Sequence, residues 1–187
     1  IQFILPAIFC TNAYTQATFR ILEKPVVFDN ERKRLSLEYL EKRYHIHQAS
    51  PYIVPQMIVL HWTAIPTLEQ SFDVMNPAIL PGARKEIAAS SSLNVAAQFL
   101  IDRDGTIFRQ LPDTAFARHV IGLNYCAIGV ENVGSDKAPL TPEQLKANED
   151  LIRYLFHKYP IKYLIGHYDS KQFIADPLWK EVNPEKP

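Results

Sequence analysis

Short apolar runs of strand length alternate along this chain with helical patterns, and that alternation most limits the folds open to it. Met57 to Trp62 (MIVLHW), with turn residues on both sides, reads as a buried strand. Cys126 to Val133 (CAIGVENV) and Tyr163 to His167 (YLIGH) read as two more. Gln98 to Leu111 (QFLIDRDGTIFRQL) has apolar residues alternating on both sides of Asp104-Gly105, the strongest hairpin signal in the chain. Glu31 to Tyr44 places Leu35, Tyr39 and Leu40 at helical spacing between charges, which predicts an amphipathic helix lying on the domain. Thr141-Pro142-Glu143-Gln144 opens another helix, with a side-chain cap, proline at the first helical position and a glutamine able to complete a capping box. Leu145, Leu151, Ile152, Leu155, Phe156 and Tyr159 are expected to form its core face, and Pro160 stops it. Strands interspersed with helices, plus one hairpin, predict an α/β fold: a single domain with a mixed central β-sheet flanked by α-helices. Ile65 to Ser92, with Pro66, Pro77 and Pro81-Gly82, reads as a long loop of the kind that is usually functional or mobile.

At 187 residues the chain fits one domain with one sizeable core, and 47% hydrophobic against 21% charged residues suits a soluble globular protein. Twenty basic residues balance twenty acidic ones, so no net field points to nucleic acid or a membrane surface. Ile1 to Cys10 (IQFILPAIFC) is almost wholly apolar, too short to span a bilayer as a helix but matched to the apolar stretch of a secretory signal. Residues 1–13 are therefore read as a signal remnant, with small residues at Thr11-Asn12-Ala13 for cleavage, and residues 14–187 as the domain. A buried N-terminal strand is the alternative. Cys10 follows the bulky Phe9, a poor context for lipid attachment, and once the signal is removed Cys126 stands alone with no disulfide framework.

Of six histidines, His45 and His47 sit in a polar linker and His157 on a helix, where surface roles suffice. His61 and His167 differ, because each ends an apolar strand and emerges at the rim of the sheet. Two imidazoles on adjacent strands are half of a catalytic zinc site, which wants three protein ligands and an open position. The other reading is two independent histidines hydrogen-bonded at strand ends. Glu131 lies in an otherwise apolar strand and must face water, a cation or a hydrogen-bond donor. Beside a zinc-bound water a carboxylate acts as proton acceptor and then as donor to the leaving amine; an exposed edge-strand face is the alternative. His119, before a Gly-Leu-Asn loop, either lines a cleft or caps a turn.

These stretches resemble the type-2 N-acetylmuramoyl-L-alanine amidases, relatives of phage lysozyme-amidases and of the peptidoglycan recognition proteins. Ile58 to Ala64 is similar to the family's first strand, whose histidine binds zinc, and Phe99 to Ile107 to its hairpin. Ala117-Arg118-His119 and then Asn124 to Glu131 resemble the cleft histidine and the strand bearing the catalytic glutamate, and Leu164 to His167 the strand with the second zinc histidine. The resemblance runs from about Val26 to Trp179. It implies a zinc-dependent amidase acting on peptidoglycan or muropeptides, with His61 and His167 on the metal, Glu131 catalytic, and His119, Trp62 and Asn124 toward substrate. It further implies a monomeric, exported protein, periplasmic or secreted, without nucleic-acid partners or stable membrane insertion after signal removal.

Two positions depart from the pattern. Gln98 stands where many relatives carry a histidine, a change expected to bear on the cleft more than on zinc. The family's Lys-x-Asp-Pro-Gly element, source of the third ligand, has no lysine counterpart after His167. Asp176-Pro177 falls near the right distance and is one candidate for the ligand; on the preferred alignment the ligand lies beyond Pro187. A competing expectation, from the same fold with an incomplete zinc site, is a module that binds muropeptide without cutting it.

Overall fold

The computed structural model describes residues 20–82 and 85–182, so the signal-like segment with Cys10 lies outside the described residues. Six strands form one sheet: β1 (Ile21–Glu23), β2 (Met57–Trp62), β3 (Phe99–Ile101), β4 (Ile107–Arg109), β5 (Ala127–Asn132) and β6 (Tyr163–Gly166), in the order β1-β4-β3-β5-β2-β6. β3 and β4 are the antiparallel hairpin and every other neighbouring pair is parallel, which makes the sheet mixed. Gly105 takes φ +83° in the hairpin turn, in the left-handed region that glycine enters without a Cβ clash.

Among the described residues four α-helices accompany the sheet: α1 (Asn30–Tyr44), α2 (Leu68–Met75), α3 (Lys85–Ala88) and α4 (Pro142–Lys158). Asp29 caps α1 by accepting the Arg32 N–H, and His45 ends it in the left-handed conformation. Thr141 and Gln144 form the expected capping box on α4. α4 covers one face of the sheet, where Ala147, Leu151 and Leu155 pack on Ile58, Phe99, Ile101, Ile128 and Val130. On the opposite face Met57, Val59 and Ala127 meet Val120 and Leu123, while α1 packs Leu35, Tyr39, Leu40 and Tyr44 against Leu93 and Phe116. The result is a sheet between two apolar layers, so its central strands are buried on both sides.

Two expectations need correction. The Ile65–Ser92 stretch is not a plain loop: Thr67 caps α2, whose Ser71 and Met75 are buried, and the short α3 follows. Pro66 and Pro77 lie just outside α2, so they bound the helix instead of forbidding it. The buried stripe of α4 is Gln144, Ala147, Asn148, Leu151 and Leu155, whereas Leu145 and Phe156 are exposed. The polar members are inside because they satisfy strand ends: Gln144 Nε2 donates to the carbonyls of Ile101 and Val133, and Asn148 pairs with Asn132.

Buried guanidinium groups tie the outer layer together. Arg32 donates to the carbonyls of Val27, Met75, Asn76 and Pro77, fixing α1 to the end of α2, and burial lowers its pKa to about 10. Arg43 pairs with Glu181 at 2.8 Å in a nearly solvent-free contact, while Val182 N–H donates to the Arg43 carbonyl. The chain after His167 is thereby strapped across to α1. No helix among the described residues is long and apolar enough to cross a membrane.

The revised stripe on α4 has a measurable consequence. Leu151→Ala, under the sheet, is expected to cost about 3 kcal/mol, whereas Leu145→Ala should stay within about 0.5 kcal/mol, both read from urea denaturation. Equal losses at the two positions would contradict the stripe.

Candidate active site

Parallel pairing brings the chemistry together. β2 lies between β5 and β6, with His61 in register with Glu131 and Leu60 with Gly166, one residue before His167. Registered neighbours on parallel strands turn their side chains to the same face, and alternation puts His61 and Glu131 on the face away from α4. All three residues stand at the carboxyl ends of adjacent strands, where open α/β sheets place their ligands. They line a cavity of about 480 Å³ whose walls include Trp62, Val74, Met75, Val95, Arg118, His119 and Tyr168.

His61 Nδ1 faces His167 Nδ1 at 2.8 Å, and His61 Nε2 faces His119 Nδ1 at 3.0 Å. His119 Nε2 lies 3.3 Å from the Ala127 carbonyl. His61 is 9% exposed, and burial first, with the neighbouring His119 and His167 second, holds its pKa well below the usual imidazole range. Burial likewise pushes His119 down to about 4 and lowers His167, beside which Lys171 adds a like charge. The site is therefore built to keep its imidazoles neutral, the form in which a ring nitrogen offers a lone pair to a metal.

The remaining sequence candidates separate. Trp62 is 43% exposed and forms part of the cavity wall. His119 reaches the cavity, but both its nitrogens are engaged inside the fold, so it offers substrate only ring surface. Asn124 was expected to face substrate and does not: it is buried, its Oδ1 accepts the N–H groups of His119 and Val120, and its Nδ2 donates to the Tyr44 hydroxyl. It braces the segment that carries His119. Asp176 also turns elsewhere. Its Oδ1 accepts the Leu178 N–H at 2.8 Å, closing the turn before Trp179, and it lies off the cavity wall. Among the described residues no group of three or more His, Cys, Asp or Glu side chains is arranged to hold a metal ion. Gln98, expected to bear on the cleft, is buried behind it: Oε1 accepts the Gly129 N–H at 2.7 Å and Nε2 donates to the Ala115 carbonyl.

Two supporting residues were not singled out from sequence. Gly129 leaves room for the His119 ring, since a Cβ there would lie 2.8 Å from His119 Cγ. A lone glycine inside an apolar strand was the available signal for such a close approach. Arg118 pins the cavity's outer wall by donating to the carbonyls of Ile87, Ser91 and Leu93, and no motif announced that role.

Comparison with known proteins agrees with this geometry. The family profile Amidase_2, N-acetylmuramoyl-L-alanine amidase, matches residues 50–178, well over half of the chain and all of the strands that carry the site. The chain belongs to this amidase family. It is 36% identical over 83 residues to the endolysin of Enterobacteria phage T3 and 31% identical over 83 residues to that of Enterobacteria phage K11. Each match covers 41% of this chain and 55% of the relative, so the chain spans about half the length of these relatives. Among solved structures it is similar to the N-acetylmuramoyl-L-alanine amidase LysC from Clostridium intestinale URNW, with 26% identity, a TM-score of 0.53 and coverage of 82% of this chain and 85% of that one. The single-domain mixed α/β fold read from the sequence is thus the amidase fold.

The lowered imidazole pKa values set a sign for pH dependence. The unfolded chain protonates its histidines near pH 6.5, whereas the folded site resists protonation, His119 down to about 4. As pH falls between those limits the unfolded state binds more protons, so stability falls with it. Urea denaturation of metal-free protein at about pH 7.5 and about pH 5 is expected to show the loss, and stability that rises on acidification would contradict it.

Proposed function

We propose that this family member is a zinc-dependent amidase that hydrolyses the bond between N-acetylmuramic acid and the L-alanine of the stem peptide, in peptidoglycan or in released muropeptides. The observation that carries the proposal is the registration of His61 with Glu131 and its contact with His167 at one cavity. Polymeric peptidoglycan lies outside the cytoplasm, and the proposal includes export to the periplasm or beyond and action as a monomer.

The donor chemistry of the site supports zinc. Two neutral imidazoles present Nδ1 atoms to one another at 2.8 Å, and imidazole nitrogen is a donor that zinc takes readily. His61 and His167 would hold it; the Asp176 carboxylate, occupied by Leu178 N–H, does not join them in this arrangement. Zinc, when bound, supplies Lewis acidity toward the scissile carbonyl and acidifies water.

The chain's own residues supply the rest. Glu131 stands beside His61 on the cavity wall, where its carboxylate takes a proton from the attacking water. It then returns that proton to the departing alanine nitrogen, which otherwise leaves as a poor amide anion. Trp62 gives the sugar or peptide an apolar wall, and the α2 side of the cavity, with Val74 and Met75, limits water.

A binding module that holds muropeptide without cutting it is the second reading, favoured by the diversion of Asp176 into its turn. Glu131→Gln separates the two. The amidase should keep zinc and muropeptide affinity and lose at least about a hundredfold in turnover, assayed as release of peptide with a free L-alanine amine. Wild-type protein that binds muropeptide and releases none would establish the module instead.

Zinc content per chain tests the ligands separately. His61→Ala and His167→Ala should lose the metal, whereas Asp176→Asn should retain it. Loss of zinc in Asp176→Asn would mean that the turn at 176 opens to complete the site.

A further inference from the structure

The imidazole chain behind the cavity contains one element whose hydrogen-bonding role is not negotiable. The Ala127 carbonyl can only accept, so the His119 nitrogen facing it, Nε2, carries the hydrogen. A neutral imidazole has one N–H, which leaves His119 Nδ1 bare. His61 Nε2 faces that bare nitrogen at 3.0 Å and must therefore be the donor. The single hydrogen of His61 is then accounted for, and its Nδ1 points a lone pair toward His167. Each assignment follows from the one before, starting at a backbone oxygen in β5.

We infer that His119 is a positioning residue: through Ala127 it fixes His61 in the Nε2–H tautomer and presents the His61 Nδ1 lone pair to the bound cation. The inference rests on the proposed role of His61 as a metal ligand, and it reassigns His119 from a substrate contact to a support for that ligand. Outer hydrogen bonds of this kind set ring orientation and ligand basicity.

The surroundings of His119 are shaped to the task. Gly129, two residues before Glu131 on β5, has no side chain, and the His119 ring occupies the space a Cβ would take. Gln98 holds the Gly129 N–H and the Ala115 carbonyl, keeping strand and histidine segment at a fixed separation. Asn124 accepts the backbone N–H of His119 itself. One glycine and two side chains, from different parts of the chain, thus hold one ring that never needs to touch substrate. The same logic leaves His167 as the donor across the 2.8 Å contact in the metal-free protein, so His167, unlike His61, must change tautomer to become a ligand.

The test is nitrogen-15 NMR of the metal-free full chain at neutral pH, which tells a protonated ring nitrogen from a bare one, together with zinc affinity by chelator competition. His61 is expected with hydrogen on Nε2 and His167 with hydrogen on Nδ1; hydrogen on His61 Nδ1 overturns the inference without recourse to any variant. His119→Phe keeps a ring over Gly129 but removes the acceptor, and should release His61 into mixed tautomers and weaken zinc about 10- to 100-fold. His119→Asn restores an acceptor near the Nδ1 position and should recover most of that affinity. A folded His119→Phe with unchanged His61 tautomer and unchanged zinc affinity overturns the inference. Wild-type protein that takes up no zinc while His61 carries hydrogen on Nε2 sinks the zinc reading and upholds the tautomer assignment.

Discussion

Parallel pairing of β2 with β5 and β6 is the constraint on which everything else depends. A slip of one residue along either ladder would turn Glu131 or His167 to the opposite face of the sheet, where α4 lies. The register is secured by burial on both faces: Met57, Ile58 and Val59 are inaccessible, as are Ala127, Ile128 and Val130 on the neighbouring β5. The apolar residues of these strands therefore do more than stabilise. They measure out the position at which each chemical group leaves the sheet.

Around this frame, polar side chains do work that secondary structure cannot. Arg32, Arg118, Gln98 and Asn124 are buried, and each places at least one donor or acceptor on a backbone group of an irregular segment: Pro77, Leu93, Ala115 and Val120 in turn. Such segments have no ladder partners of their own, and unsatisfied backbone groups inside a fold are costly. The cavity wall that faces α2 is thus held by a few charged or amide side chains. The opposite wall, made of strand ends, is held by the sheet itself.

Legibility in the sequence follows this division. β2, the β3–β4 hairpin, β5, β6, α1 and the capping box of α4 were readable because each is dictated locally, by run length, turn residues or a cap. His61, His167 and Glu131 stand out in the sequence for the same reason, since each interrupts or ends an apolar run, and the structure brings them to one cavity. The stripe on α4 was misjudged at Leu145 and Phe156 because hydrophobicity was weighed without the strand ends that Gln144 and Asn148 must satisfy. α2 was hidden among prolines that bound it. Asn124 and Asp176 were assigned by pattern, and their hydrogen bonds to nearby backbone groups divert both inward, a choice that no spacing rule reveals. His119 posed the hardest question, because the partners that define it, His61 and Ala127, come from two separate strands.

The histidine pair also joins residues 106 positions apart in the chain. A polypeptide still emerging from the ribosome can pair β2 with β5 well before β6 arrives. Until then His61 and Glu131 stand together but His167 does not, and the histidine pair is incomplete. Contacts of such long sequence separation form late in folding. The fold therefore carries its own delay: the cleft takes shape first, and the histidine pair at its rim closes only once the last strand has docked.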